Sequence, residues 1–325
     1  MQKSCWLVLG LACSLSGTLT LRSATFEENF SSDPAQHGWR IFGEPSLFHW
    51  NSTNQNLEAT WCSSNGNSYF YYPLGTVLAK DDDFSFSFDL RLRDIAIGTT
   101  PGKSETFQIA VGLINVRDAT RSNYVRALSS NALNLAEFLY YPDSGWGATI
   151  STTLIDSNHQ WAYAYMMQEL TPSDLFHMEV NYAASNHTAY TSVMRNGQPL
   201  NASAAPLGDY VDFTDFRVDA FSISSYSDEG QAPDFPGSIL AHGAIDNVVI
   251  TSPEPMVIPL NAGLANGNGQ VQFASRTNWF YRLQGTSDLH NWAEIASGRG
   301  NGGMLSLSDT NAHAAQFYRV LAERP

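Results

Sequence analysis

Residues 83–93, DFSFSFDLRLR, put an apolar side chain at every second position: Phe84, Phe86, Phe88, Leu90 and Leu92 on one face, polar residues on the other. A period of two belongs to a strand with one buried and one wet face; on a helix the same residues would scatter around the axis. The pattern recurs at Ile109, Val111 and Leu113, at Phe176, Met178, Val180 and Tyr182, and at Val218, Ala220 and Ser222. Asn196-Gly197 between two such runs predicts a type I′ hairpin, with 190–195 entering and 198–200 leaving. No segment keeps a helical period for long; residues 171–175 offer at most one capped helical turn. Many short strands with one polar face predict two antiparallel sheets stacked as a sandwich.

A break falls at residues 251–255, TSPEP, after the strand-like run 244–251. The net charge of −14 supports a cut there, because the acidic excess lies in residues 25–252 while 253–325 are balanced. The tail has strand patterns of its own at 270–273, 279–283, 305–307 and 317–321, with Gly-rich turns at 267–269 and 298–303. The expected organisation is a leader (1–24), a large β domain (25–252) and a small β module (253–325). A pI near 4.8 argues against nucleic acid and anionic membranes as partners, since both require a basic footprint.

The leader reads as an export signal. Lys3 supplies the positive end, residues 5–12 an apolar run shorter than the roughly 20 residues that span a bilayer, and 14–18 the small residues of a cleavage region. Secretion or display at the cell surface follows, without membrane insertion. Cys13 offers a lipid anchor to the cell envelope, although Gly10 stands where lipoprotein signals carry Leu. Once the leader is removed Cys62 is the remaining cysteine, which excludes an intramolecular disulfide, a zinc–cysteine site and a dithiol redox site. Beside Trp61 it is expected as a small buried hydrophobe.

Residues 106–115 (TFQIAVGLIN), 134–143 (NLAEFLYYPD) and 237–250 (GSILAHGAIDNVVI) resemble exported proteins of Verrucomicrobia-type bacteria, whose large domain is similar to the concanavalin A-like (laminin-G-like) jelly roll. Residues 281–292 (YRLQGTSDLHNW), with 307–309 and 317–320, resemble the small immunoglobulin- or fibronectin-like module that ends many of those proteins. The resemblance implies an all-β fold, export and a polysaccharide-rich setting. It carries no established activity.

Jelly rolls of this kind host glycan-binding modules, glucanases and polysaccharide lyases. The Glu-x-Asp-x-x-Glu run of retaining glucanases is missing, and Gln108-Ile-Ala110 lacks the His of the lyase pattern. No nucleophile elbow, zinc-binding His pair or phosphate loop occurs, and the eight histidines are scattered. His177 is expected in solvent, while His242 is a candidate for reaching a concave face. A neutral-glycan binder needs aromatic platforms flanked by amide and carboxylate groups. Trp146, in the turn-rich stretch 140–147, meets that need, with Asn134, Glu137, Tyr141 and Asp143 around it as ligand-binding candidates. Trp39, Trp50 and Trp61 are expected in the core, the alternating Trp161, Tyr163 and Tyr165 in the core or on a sheet face, and Trp279 and Trp292 in the tail's core. A structural calcium ion is assigned to Asp81, Asp83 and Asp246, since carboxylates suit it, with a solvated turn at 81–83 as the competing reading.

The leading expectation is therefore an exported, non-catalytic protein that binds a polysaccharide or cell-surface glycan, or mediates adhesion, with the tail as spacer. A glycoside-active enzyme using Glu137 and Asp143, and a purely structural envelope component, are the competing classes.

Overall fold

The computed structural model describes residues 23–126, 131–234, 236–253, 260–265, 268–277, 279–310 and 317–324. Cys13 and the leader up to residue 22 lie outside these residues, as does the segment following Pro253. Ser23 and Ala24 already belong to the first strand, paired with Pro253 and Ser252.

In chain order the strands begin with β1 Ser23–Glu28, β2 Arg40–Phe42, β3 Phe48–Asn51, β4 Asn56–Cys62 and β5 Ser68–Leu78. There follow β6 Phe84–Ile97, β7 Ile109–Ile114, β8 Leu135–Tyr141, β9 Thr149–Ile155 and β10 Trp161–Met167. The large domain closes with β11 Phe176–Ala183, β12 Thr188–Arg195, β13 Gln198–Pro206, β14 Val218–Ser225 and β15 Ile239–Pro253. A four-residue helix, α1, spans Val116–Ala119 and is capped by the Asn115 side chain.

Among the described residues these strands make two antiparallel sheets. One runs β13-β12-β11-β6-β15-β4-β3, with β1 also paired to β15; the other runs β10-β9-β8-β7-β14-β5-β2. The order is far from sequential, as in a jelly roll: strands distant in the chain lie side by side. The apolar face of β6 fills the space between the sheets. Phe86 meets Phe221 of β14, and Phe88 meets Phe138 of β8, each edge-on with centroids 5.6 Å apart. At one end of this core Trp39 stacks on Phe70 at 4.7 Å.

Local chemistry explains two of the irregularities. Asn196 and Gly197 both take positive φ (50° and 79°), the backbone a type I′ turn demands, and they join β12 to β13. In β15 the register against β6 shifts between Asp246 and Val249, and Asn247 sits there at φ 48°. Asn tolerates this conformation, and its amide donates to Asp89 Oδ2 at 2.8 Å.

The tail contributes β16 Asn261–Ala265, β17 Asn268–Ala274, β18 Phe280–Thr286, β19 Ala293–Arg299, β20 Met304–Asp309 and β21 Phe317–Glu323. They form two three-stranded sheets, β16-β17-β20 and β19-β18-β21. Phe273, Trp279, Tyr281, Leu283, Val271 and Leu307 make a second core, against which Val77 of β5 also packs. Arg324 fastens the tail to the large domain by pairing with Asp82 and donating to the Val77 carbonyl at 3.3 Å.

Several expectations need correction. Residues 171–175 form a hydrogen-bonded turn, without a helical turn. Cys62 is half-buried, with its Sγ 3.2 Å from Ser64 Oγ. Trp50 is half-buried, and so is Trp292, which lies beneath the Arg319 guanidinium at 4.2 Å and outside the tail's core. His177 is half-buried beside Asp89, its Nδ1 2.7 Å from the carboxylate. No described helix is long and apolar enough to cross a membrane.

Candidate functional site

Alternation tells which way each side chain of the seven-stranded sheet points. Phe138 meets the opposite sheet, so Glu137 and Leu139 face outward. Register carries this across the neighbouring strands. Gly112, Glu137, Thr153 and Tyr163 form one outward row, Leu139, Ser151 and Tyr165 the next, and Tyr141, Thr149 and Met167 a third.

The middle of this outer face is closed by the segment that follows β7. Tyr69 donates its phenol hydrogen to the Ala119 carbonyl at 3.0 Å. Arg126 is buried above the rings of Trp161 and Tyr226, 5.1 and 5.7 Å from their centroids. Its Nε and Nη2 both donate to Glu137 Oε2 at 3.0 Å, and Tyr226 donates to Oε1 at 2.5 Å. Burial opposes charge on Arg126 most strongly, yet Glu137 and the surrounding tyrosines Tyr226, Tyr141 and Tyr124 together outweigh it and raise the guanidinium above its ordinary value. Gly112, opposite Glu137, leaves room for the backbone alone: a Cβ there would lie 2.5 Å from the Ala136 carbonyl oxygen.

The open part of the face is its β10 edge. Met167 is 68% exposed, Tyr165 58% and Tyr163 39%. The Tyr163 and Tyr165 rings lie 4.8 Å apart, and Tyr210 adds a third ring 5.7 Å from Tyr163. The Tyr210 hydroxyl donates to the Tyr163 carbonyl at 2.5 Å, tying the 207–210 segment to the strip. Trp146, 82% exposed, stands on the loop next to Met167. Its loop is shaped by Asp143, whose Oδ1 accepts from Gly145 N at 3.1 Å, and by Ser144 N donating to Gly147 O at 2.9 Å. The Met167 methyl lies 3.7 Å from where a Cβ on Gly147 would stand, so loop and strand abut. Tyr141 flanks the strip half-buried, and burial pushes its phenol up to about 12. Asp143 is exposed, and Asn201 donates to Gln168 Oε1 at 3.1 Å, so carboxylate and amide groups edge the rings.

Of the residues singled out in the sequence, Tyr141, Asp143 and Trp146 therefore share one region. Glu137 does not join them, because Arg126 and Tyr226 seal its carboxylate from solvent. Asn134 is also structural. It sits at the other end of β8 with φ 56°, its amide donating to Asp118 Oδ2 at 2.7 Å and its carbonyl accepting from Arg217 N at 2.8 Å. His242 lies on β15 in the other sheet with Nδ1 2.6 Å from Asp94, away from this face.

The aspartates assigned to calcium do not converge. Asp246 pairs in register with Asp89, six residues along β6 from Asp83, or about 20 Å at the strand rise. Asp83 accepts from Ala184 N at 2.8 Å, and the adjacent Asp82 serves Arg324. Among the described residues no group of three or more His, Cys, Asp or Glu is placed to hold a metal ion. These residues do not fit the expected ion site.

Sequence reasoning placed Tyr163 and Tyr165 with the core or a sheet face, and left Met167 and Tyr210 aside. The alternation of 161–167 was visible. That β10 is the sheet's edge strand, with its outer face uncovered beyond Trp161, was not.

The fold and this outer face place the chain in the class of jelly-roll β-sandwich proteins. Solved structures similar to it include peanut lectin (13% identity, TM-score 0.44, covering 71% of this chain and 97% of that one). Lectin II from Ulex europaeus is similar at 12% identity and TM-score 0.44, covering 72% and 99%. The alginate lyase Aly36B gives 10% identity and TM-score 0.42, covering 70% and 96%. No protein-family model and no curated protein matches the chain.

Proposed function

We propose that this chain is an exported glycan-binding protein and that a neutral polysaccharide lies along the β10 strip. The observation that carries the reading is the exposure of the paired Tyr163 and Tyr165 rings and of Trp146, whose loop abuts Met167 of the same strand, in a domain that buries most of its other aromatic rings. Exposed apolar strips rimmed by polar groups mark binding surfaces. Side chains at i and i+2 of a strand recur every 6.6–6.8 Å or so, which lets successive sugar rings present their CH faces to successive platforms. Asp143, Gln168 and Asn201 supply acceptors and donors for the hydroxyls. The chain's net charge of −14 disfavours uronate polymers.

A Glu137–Asp143 carboxylate pair does not support hydrolysis. The two are six residues apart on an extended run, on the order of 20 Å, whereas glycosidase pairs stand about 5–9.5 Å apart. One of them is also locked to Arg126. The tail is assigned the role of spacer or attachment piece.

Affinity electrophoresis and a polysaccharide array test the proposal. Retention by at least one neutral polymer is expected, and Trp146→Ala or Tyr165→Ala should abolish it while melting stays unchanged. Absence of retention across neutral polymers would discard the glycan reading. Release of reducing ends by the wild-type chain would move it to the enzyme class.

A further inference from the structure

A groove of about 410 Å³ lies between the two domains, within the range of small-ligand pockets, roughly 300–1,000 Å³. It arises from a break in the pairing of β5 with β14. Leu78 opposes Val218 and Pro73 opposes Ala220, so residues 74–77 bulge outward opposite Asp219 alone. Gly75 makes the bulge possible by taking φ +69°, and nothing stands within 4 Å of where its Cβ would be. Val77 then reaches into the tail's core, and Trp279 of the tail closes one wall.

The polar groups of this groove are incompletely used. Thr76 lines it, is only 6% exposed, and its hydroxyl has no hydrogen-bond partner among the described residues. A buried hydroxyl left unpaired costs roughly 1–3 kcal/mol unless something else satisfies it. The Asp219 carboxylate lines the groove beside it and accepts from Val116 N at 2.9 Å. Burial raises the pKa of this carboxyl, outweighing the backbone donors that lower it. Arg40 stands at the mouth without an ion pair among the described residues. Half-buried Tyr71 contributes aromatic surface beside these three, with the core residue Trp279 behind it.

We propose that the groove is a second ligand site, which takes one pyranose ring of a neutral saccharide. Two ring hydroxyls donate to Asp219 and exchange a hydrogen bond with Thr76. Arg40 donates to a hydroxyl or ring oxygen at the mouth, and the apolar ring face lies on Tyr71 and Val77. The solvated position of Arg40 favours a neutral ligand over a fully desolvated carboxylate. The site is separate from the β10 strip: β10 and β5 are five strand steps apart in the sheet, about 24 Å.

The test titrates the full chain with methyl glucoside, galactoside, mannoside and xyloside, following tryptophan fluorescence and amide NMR shifts. At least one should saturate. Thr76→Val and Asp219→Asn should each weaken that binding tenfold or more, with Thr76→Val at least as heat-stable as the parent. Arg40→Gln, at the exposed mouth, should weaken it as well, and provides the readout if an interior variant folds poorly. Tyr163→Ala/Tyr165→Ala should leave it unchanged. The proposal is overturned if no glycoside saturates, if the groove variants bind like the parent, or if the strip variant loses the binding. Tighter binding of free glycine, which offers Arg40 a carboxylate and Asp219 an ammonium, would overturn it too.

Discussion

Trp146 and Glu137 stand nine positions apart and have opposite fates. The first projects into solvent from a loop held by Asp143 and two glycines; the second is enclosed by Arg126 and Tyr226. Trp146→Ala should therefore change unfolding free energy by no more than about 0.5 kcal/mol, as for surface substitutions, while polysaccharide retention falls at least tenfold. Parallel melting and affinity-gel runs check both halves, and a large stability loss would show that the ring is anchored. Glu137→Gln should do the reverse. It leaves a buried guanidinium without its counter-charge, which costs roughly 3–5 kcal/mol in urea unfolding, with glycan retention intact at temperatures where the variant is folded. The turn-rich setting of Trp146 was readable from its neighbours in sequence. The ion pair of Glu137 was not, because nothing along the chain shows that residues 116–126 fold back across the sheet.

Elements were more legible where pairing is local. The β12–β13 hairpin follows from Asn196-Gly197, yet its anchoring depends on residues from another strand's approach. Asp174 accepts from the Asn196 amide at 2.8 Å and from Arg195 Nε at 2.8 Å. These contacts, the Asn196 bond first, hold the Asp174 carboxyl below its ordinary 3.8. A lowered folded-state pKa means the contribution is complete above the unfolded value and is lost as pH falls through the folded one. Stability from this pair should thus persist above about pH 4 and fade below 3.8, and Asp174→Asn should remove that part of the acid limb in melting scans. An unchanged acid limb would show that the pair contributes nothing, as many exposed pairs do. The β10 strip makes the contrasting case. Its alternation was as clear as that of β6, but the same pattern serves a core strand and an exposed edge strand. Only the order β10-β9-β8 decides between them.

For the molecule as a whole, two cores meet at the β5–β6 turn, where Val77 packs on the tail and Arg324 joins Asp82 while lying 5.8 Å above the Trp279 ring. Arg324→Ala should loosen this junction. Small-angle scattering should show a larger maximum dimension, and glycoside binding in the interdomain groove should weaken while the β10 strip keeps its polysaccharide. An unchanged scattering profile would mean that apolar contact alone holds the tail. The amino-acid order by itself determined the all-β class, the buried face of β6, the hairpin turn and the charge that disfavours polyanions, since each depends on near neighbours or on composition. Which carboxylate is sealed, which aromatic row is left open, and where two domains leave a groove were decided by strand order and by segments crossing a sheet. Those contacts join residues far apart in the chain, and a period of two cannot say which partner will lie on its outer face.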